Sequence, residues 1–153
     1  METEYSAKAH RLVAAAAQGD MSALRQALAD GADVKFGDNL SLRTAAMVGH
    51  MDCLEALVAA GGDVGAQFNE ALFFAAKAGD RRMVDYLLDH GADADIVMKF
   101  HDKKIDQATR DLLTGRSLRD SFEKAKEDQA VISQFADSVR HSGLRLKPRP
   151  PAL

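Results

Sequence analysis

One pattern of residues occurs three times in this chain, and each copy begins 30 residues after the one before it. A copy consists of a leucine, two residues, Ala-Ala, two residues, a glycine, a polar residue, an apolar stretch and a closing Gly-x-Asp. The three copies are Leu12–Asp33, Leu42–Asp63 and Leu72–Asp93. A fixed period of roughly 20 to 50 residues is typical of stacked units that bury their apolar faces against their neighbours. The spacing therefore predicts a repeat array for most of the chain.

The residue types within a copy predict a pair of helices. In the central copy, Ala45-Ala46 leaves only methyl groups where a short first helix lies close to its neighbours, and Gly49 allows the chain to turn back with a positive φ. The second helix has apolar residues at i, i+1, i+4 and i+5, which form one helical face. These residues are Ala23, Leu24, Ala27 and Leu28 in the first copy, Cys53, Leu54, Leu57 and Val58 in the second, and Met83, Val84, Leu87 and Leu88 in the third. Gly61 and Gly91 follow the last two faces, and we expect both to end their helices in a left-handed conformation.

The pattern resembles the ankyrin repeat, whose signature contains T-P-L-H-x-A-A-x-x-G-H, then a helix with paired aliphatic residues, then G-A-D. The resemblance covers about residues 10–99, and the three copies keep their register without a gap. It implies an all-α helix-turn-helix solenoid. Of the T-P-L-H slots only the leucine is retained, and the usual threonine cap is absent. Asn39 and Asn69 precede these slots, and we expect each side chain to cap the first turn of its helix.

The period is shorter than the family's usual length of about 33 residues. Because the helices have the usual lengths, the missing residues are expected to come from the β-hairpin fingers that connect ankyrin repeats, here Val34–Asp38 and Val64–Phe68. The sequence therefore predicts short fingers with little or no β-ladder. The helix pairs are predicted near Ser41–Ala60 and Ala71–His90.

Beyond the repeats, the chain is expected to be helical but irregular. The predicted division is repeats in residues 1–99 (about 10–39, 40–69 and 70–99), a helical C-terminal cap in 100–142 and a basic, proline-containing tail in 143–153. Apolar residues in the cap recur at helical spacing and predict two or three helices, with breaks near Gly115 and Ser117. These residues are Ile105, Ala108, Leu112, Leu113, Leu118, Phe122, Ala125, Val131, Ile132, Phe135 and Val139. The helices would cover the apolar end of the last repeat; alternatively, the segment is a separate binding element.

Composition favours a cytoplasmic protein without a membrane segment. A chain of 153 residues corresponds to about one domain. Its single cysteine cannot form an internal disulfide, and Met1–Gln18 does not have the residue pattern of a secretory leader. No apolar run approaches the roughly 20 residues that a membrane-spanning helix needs.

Charge is unevenly distributed along the chain. Residues 1–99 contain nine Lys and Arg against fifteen Asp and Glu, whereas residues 100–153 contain eleven against eight. The cations near the end, Arg140, Arg145, Lys147 and Arg149, suggest an alternative function in which the basic tail tethers the protein to nucleic acid. This alternative is weaker, because four cations without interleaved aromatic residues support only loose phosphate contact and the acidic repeats repel the phosphate backbone.

The sequence offers no constellation typical of a catalytic, metal-binding or cofactor-binding site. The five histidines lack metal-ligand spacing, and those in the repeats, His50 and His90, are expected to make local hydrogen bonds. Cys53 falls on the apolar face of a second helix, where a free thiol acts as a small buried hydrophobe. We therefore expect a protein that is not an enzyme and has no cofactor.

The resemblance implies that a partner binds the concave side, which includes the fingers and the residues between Ala-Ala and glycine. On that side the sequence predicts an apolar patch, of the kind that marks a protein interface, with a polar rim. The patch consists of Phe36, Met47, Val48, Phe68 and Phe73, and the rim consists of Asn39, Arg43, Asn69 and Lys77. Each phenylalanine has the alternative reading of a packing residue. The predicted function is a protein-protein interaction module, whether adaptor, inhibitor or regulator, and both its partner and its oligomeric state are left open.

Overall fold

The fold is helical throughout the part of the chain that the structure describes. A computed structural model describes residues 2–141, with the exception of the side chains of residues 2–3, 5, 116–122, 135–136 and 139–141. The helices are α1 (Glu2–Gln18), α2 (Met21–Ala29), α3 (Phe36–Val48), α4 (Met51–Ala59), α5 (Ala66–Ala78), α6 (Arg81–Asp89), α7 (Ala94–Phe100) and α8 (Gln107–His141). A short 3-10 helix, Asp102–Lys104, precedes α8. No strand occurs within residues 2–141, and the all-α prediction is confirmed.

The repeats form two layers of helices. The first helices α1, α3 and α5 pack side by side, α7 packs against α5, and the second helices α2, α4 and α6 each pack against the first helix of their own repeat. The alanine pairs and leucines of the pattern are buried, as their small size and periodicity predict. In the central repeat these residues are Leu42, Ala45 and Ala46 from α3, and Cys53, Leu54 and Leu57 from α4.

Glycines end the helices as predicted. Gly49 and Gly79 follow the first helices with φ of 89° and 73°, and Gly61 and Gly91 follow the second helices with φ of 95°. Because L-residues with a side chain rarely adopt such angles, glycine is the residue that these turns favour.

The connections between repeats are tight turns in place of β-hairpin fingers. Neither Val34–Asp38 nor Val64–Phe68 contains a strand, so the prediction of short fingers is confirmed. Each connection includes three consecutive residues in the left-handed region, at 37–39 and at 67–69, and right-handed helix follows from Leu40 and Glu70. We call these segments the left-handed turns. Five of their six residues are not glycine, which is unusual because a Cβ atom is crowded in this conformation.

The segment after the repeats differs from the prediction. Gly115 and Ser117 lie inside the single helix α8, so the predicted breaks are wrong. A glycine within a helix costs only about 1 kcal/mol relative to alanine, and this cost does not end a helix flanked by favourable residues. Leu113 is buried and Ile105 and Leu112 are partly buried, whereas Val131 and Ile132 are exposed.

The chain divides into two compact units, residues 1–116 and 117–153. All the helices of the repeats, together with α7, belong to the first unit. The predicted domain limits at 99/100 and 142/143 stay predictions, and the basic tail lies outside the described residues. Within those residues, no helix is long and apolar enough to span a bilayer.

Candidate protein-binding surface

The predicted patch lies on the first-helix layer and its turns, but only part of it is exposed. Met47, Val48 and Phe68 have exposed fractions of 55%, 48% and 55%. Phe36, Arg43 and Lys77 are half-buried or exposed. Because α3 and α5 bury the alanine pairs that precede Met47 and Lys77, the residues after each pair are turned away from the core. We call these six residues the first-helix surface.

Asn39 and Asn69 are buried, so the prediction that they form the polar rim is wrong. The prediction that they cap their helices is also wrong, because each side chain bonds outside the helix that follows it. Both residues have a left-handed backbone, with φ of 60°. Each side-chain oxygen Oδ1 instead accepts the backbone N–H of a residue 24 positions later, Asp63 or Asp93, at 2.8 Å. The two asparagines therefore tie each left-handed turn to the turn that follows the second helix.

Phe73 is also buried, with 4% of its surface exposed, so its predicted place on the apolar patch is wrong. The ring of His101 stacks on it, with centroids 4.6 Å apart and planes inclined by 11°. The Nζ atom of Lys77 lies 5.7 Å from the centroid of Phe73. Phe73 therefore supports the surface from below, and His101 and Lys77 cover it.

Arg43 is fixed by hydrogen bonds across two repeats. Its Nε donates to Oε2 of Glu70 at 2.6 Å, and its Nη1 donates to the carbonyl oxygens of Gly37 and Asp38 at 3.2 and 3.4 Å. Gln67 adds a second link, because its Nε2 donates to Oδ2 of Asp38 at 2.6 Å. Arg43 thus holds the left-handed turn that precedes the right-handed part of α3 and joins this turn to α5.

The two phenylalanines of the turns have different surroundings. Phe36 is half-buried and meets the ring of His10 edge-on, with centroids 5.2 Å apart. Phe68 is exposed and stacks on Phe100, with centroids 4.5 Å apart and planes inclined by 20°. The backbone oxygen of Phe68 is 3.3 Å from Nε2 of His101, which acts as a hydrogen-bond donor when it is protonated.

The sequence did not predict a place for Phe100, His101 or Lys99 on this surface. The Nζ atom of Lys99 lies 5.5 Å from the centroid of Phe100. These residues follow the last copy of the pattern, where the repeat register ends. Their partners Phe68 and Phe73 are 32 and 28 positions earlier, so the 30-residue spacing does not pair them. No sequence signal indicates these contacts.

The predicted structural roles of Cys53 and His90 are confirmed. Burial, and to a lesser extent Asp52 and Asp20, raises the pKa of the Cys53 thiol, which disfavours the reactive thiolate. His90 bonds to the carbonyl oxygen of Tyr86 through Nδ1 at 2.7 Å. In the part of the chain that the structure describes, no three His, Cys, Asp or Glu side chains are grouped so that they could hold a metal ion.

A family model of ankyrin repeats matches residues 12–98 in three copies, and the chain belongs to the ankyrin-repeat family. Ankyrin repeats are generally protein-protein interaction modules and are typically not enzymes. No curated protein matches the chain with significant similarity.

Proposed function

We propose that this chain is a non-enzymatic module that binds another protein through the first-helix surface and acts as its adaptor, inhibitor or regulator. The observation that carries the proposal is the pair Met47 and Val48, two adjacent apolar side chains that are about half exposed in the central repeat. An exposed apolar pair is what a partner can desolvate with a gain in free energy. Phe68 and Phe36 add aromatic area in the neighbouring turns, and aromatic residues are enriched in binding hot spots.

The proposal is supported by the contrast with the polar side chains beside the pair. Arg43 and Glu70 are paired with each other at 2.6 Å, and their side chains are only 20% and 25% exposed. A partner that approaches Met47 and Val48 therefore does not have to neutralise the charge of Arg43 or Glu70, because these two side chains are already paired with each other. The part of the surface around Met47 and Val48 therefore favours apolar contact residues of the partner.

The introduction of charged side chains at Met47 and Val48 tests this surface. After affinity capture has identified a partner, the double variant Met47→Glu, Val48→Lys should abolish the complex, because both new charges would have to be desolvated. Since both side chains are exposed, the free energy of unfolding should change by only about 0.5 kcal/mol.

The chain offers a matched control on α8. Val131 and Ile132 are also adjacent and apolar, with 64% and 60% of their surfaces exposed. The variant Val131→Glu, Ile132→Lys should leave the complex intact. If the control loses the partner and the first variant keeps it, the interface lies on α8 and the proposal is wrong.

We further propose that the module acts in the cytoplasm. Its only cysteine is a buried free thiol, which suits a reducing compartment. Imaging of a fluorescent fusion tests this part of the proposal, and an extracellular or organelle-restricted signal would contradict it.

A further inference from the structure

Phe68 has a backbone conformation that is unfavourable for a bulky residue. Its φ and ψ are 56° and 43°, in the left-handed region, where a bulky residue is a genuine outlier. The residue is nevertheless 55% exposed and lies outside the hydrophobic core. The equivalent residue of the preceding repeat is Asp38, a residue type that tolerates this conformation. Strained residues with exposed side chains are frequently functional, because the strain is retained for what the side chain does.

Phe68 belongs to a connected group of aromatic rings and cations. Phe100, which stacks on it, is 52% exposed, so much of the surface of both rings faces solvent. Lys99 approaches the ring of Phe100, and Lys77 approaches the ring of Phe73. His101 joins the two halves, since it stacks on Phe73 and its Nε2 is 3.3 Å from the backbone oxygen of Phe68. We call this group the aromatic-lysine cluster.

Exposed lysines lie beside this group of rings and follow it in the chain. Lys103 and Lys104 follow in the 3-10 helix and are exposed. Among the described residues, no carboxylate lies within 4.0 Å of the four lysines 77, 99, 103 and 104. Two aspartates nearby are engaged. Asp102 pairs with Arg110 at 2.7 Å, and Asp106 accepts the N–H of Thr109 at 2.8 Å. The hydrogen bonds from Thr109 lower the pKa of Asp106, and the charge of Lys77 lowers it to a smaller extent without forming a close ion pair.

We propose that the aromatic-lysine cluster binds an extended segment of the partner protein in which an aromatic side chain is flanked by aspartate or glutamate. This inference rests on the proposed function and specifies the partner. The aromatic side chain would pack on the exposed rings of Phe68 and Phe100, and the flanking carboxylates would pair with the lysines. The acidic segment must be short, because residues 1–99 carry six more acidic than basic side chains and repel a long anion.

Labelled peptides test the ligand chemistry directly. The probe is a fluorescein-labelled peptide with one tryptophan flanked on each side by glutamates, and its binding to the full chain is measured by fluorescence anisotropy. Replacement of the tryptophan by alanine, or of the glutamates by glutamines, should each weaken binding by about tenfold. Equal binding of either replacement peptide would overturn the proposal.

Phe68→Gly tests the site without the risk of unfolding. Glycine suits a left-handed backbone, so this variant should melt at or above the temperature of the wild type while its affinity for the tryptophan peptide falls by about tenfold. Phe68→Leu, which keeps an apolar side chain without the ring, should lose part of the affinity. Ile132→Ala, an exposed truncation outside the cluster, should bind as the wild type does. Undiminished binding by Phe68→Gly would overturn the proposal.

Two outcomes separate this inference from its alternatives. A single-stranded oligonucleotide that competes as well as the peptide would show a general site for polyanions and would overturn the proposal. With the captured partner, loss of binding in Met47→Glu, Val48→Lys together with full binding in Phe68→Gly would refute the inference and leave the proposed function standing. Loss of the partner in both variants would support both.

Discussion

The two left-handed turns have the same backbone and different residues. One consists of Gly37, Asp38 and Asn39, and the other consists of Gln67, Phe68 and Asn69. The first uses residue types that accept a positive φ readily, whereas Gln67 and Phe68 do not. Only the asparagine is common to both, and in both it accepts a backbone N–H from the following turn. Both turns therefore share the bond that the asparagine accepts and equivalent backbone bonds within the turn, whereas the residue types at the other two left-handed positions differ.

The two turns also stabilise equivalent carbonyl groups in different ways. The carbonyl oxygen of Asp38 accepts from Arg43 of the helix α3 that follows the turn. The carbonyl oxygen of Phe68 lies against His101 from the segment after the repeats, since Phe73 replaces the arginine at the equivalent position. The carbonyl group of the second turn thus depends on His101 from outside the repeats, whereas that of the first turn is held by an arginine of the helix that follows it. The second turn also carries an exposed aromatic pair, Phe68 and Phe100, that the first turn lacks.

The largest predicted effect concerns the core on which both turns rest. Leu57→Ala should lower the free energy of unfolding by about 2 to 5 kcal/mol, because Leu57 is fully buried between repeats. Leu28→Ala in the first repeat should cost less, since Leu28 is only partly buried. Urea denaturation measures the free energy of unfolding of both variants. An equal or reversed order of the two losses would show that Leu57 does not contribute more to the core than Leu28.

The shared asparagine should give the next largest effect. Asn39→Ala and Asn69→Ala should each cost about 2 kcal/mol, because each leaves a partly buried N–H without its acceptor and places alanine at a positive φ. Asn39→Gly and Asn69→Gly remove the acceptor but suit the backbone, so each should cost less than its alanine counterpart. If the glycine and alanine variants unfold at the same urea concentration, backbone strain in these turns is negligible.

A smaller effect is expected from Arg43. Arg43→Met should cost about 1 kcal/mol, since the pair with Glu70 is partly solvated and the bonds to the turn are long. The loss should decrease in high salt, which screens the ion pair in the wild type. A salt-independent loss would mean that the arginine acts through packing of its aliphatic part and not through its charge.

The smallest predicted effect is a gain in stability. Gln67→Gly should stabilise the protein by up to about 1 kcal/mol, because it relieves the positive φ at residue 67 and loses only an exposed hydrogen bond. The reverse change in the other turn, Gly37→Gln, should destabilise by a similar amount. Thermal denaturation of the two variants measures the change in melting temperature. If both variants raise it, or both lower it, the two turns do not differ in backbone strain as described above.

The repeat register predicted most of the fold, because it depends on local residue size and periodicity. The burial of Leu42, Ala45 and Ala46 follows from their residue types and their places in the repeat, and the shortened connections follow from the resemblance to ankyrin repeats, whose usual period is longer. The register did not predict the hydrogen bond that Asn39 accepts from the N–H of Asp63. That bond requires a left-handed backbone at Asn39, which no sequence motif indicated. It also missed the helix through Gly115, where favourable neighbours override one unfavourable residue.

The candidate surface was predicted less well than the fold. Exposure of Met47 and Val48 was predicted correctly, because both follow a buried alanine pair in the register. Phe73 was assigned to the surface because it occupies the histidine slot of the ankyrin signature. It is buried because His101, from outside the repeats, stacks on it. Contacts between a repeat and an irregular segment have no periodic pattern in the sequence, so only the structure reveals them.

Hydrogen exchange of the protein with and without its captured partner tests the central claim, binding through the first-helix surface, most directly. Mass spectrometry of peptides from each helix reports where the partner slows exchange. The proposed function predicts that protection increases at the end of α3, around Met47 and Val48, and in the left-handed turn at 67–69. Protection confined to α8, with unchanged exchange in α3 and α5, would contradict it.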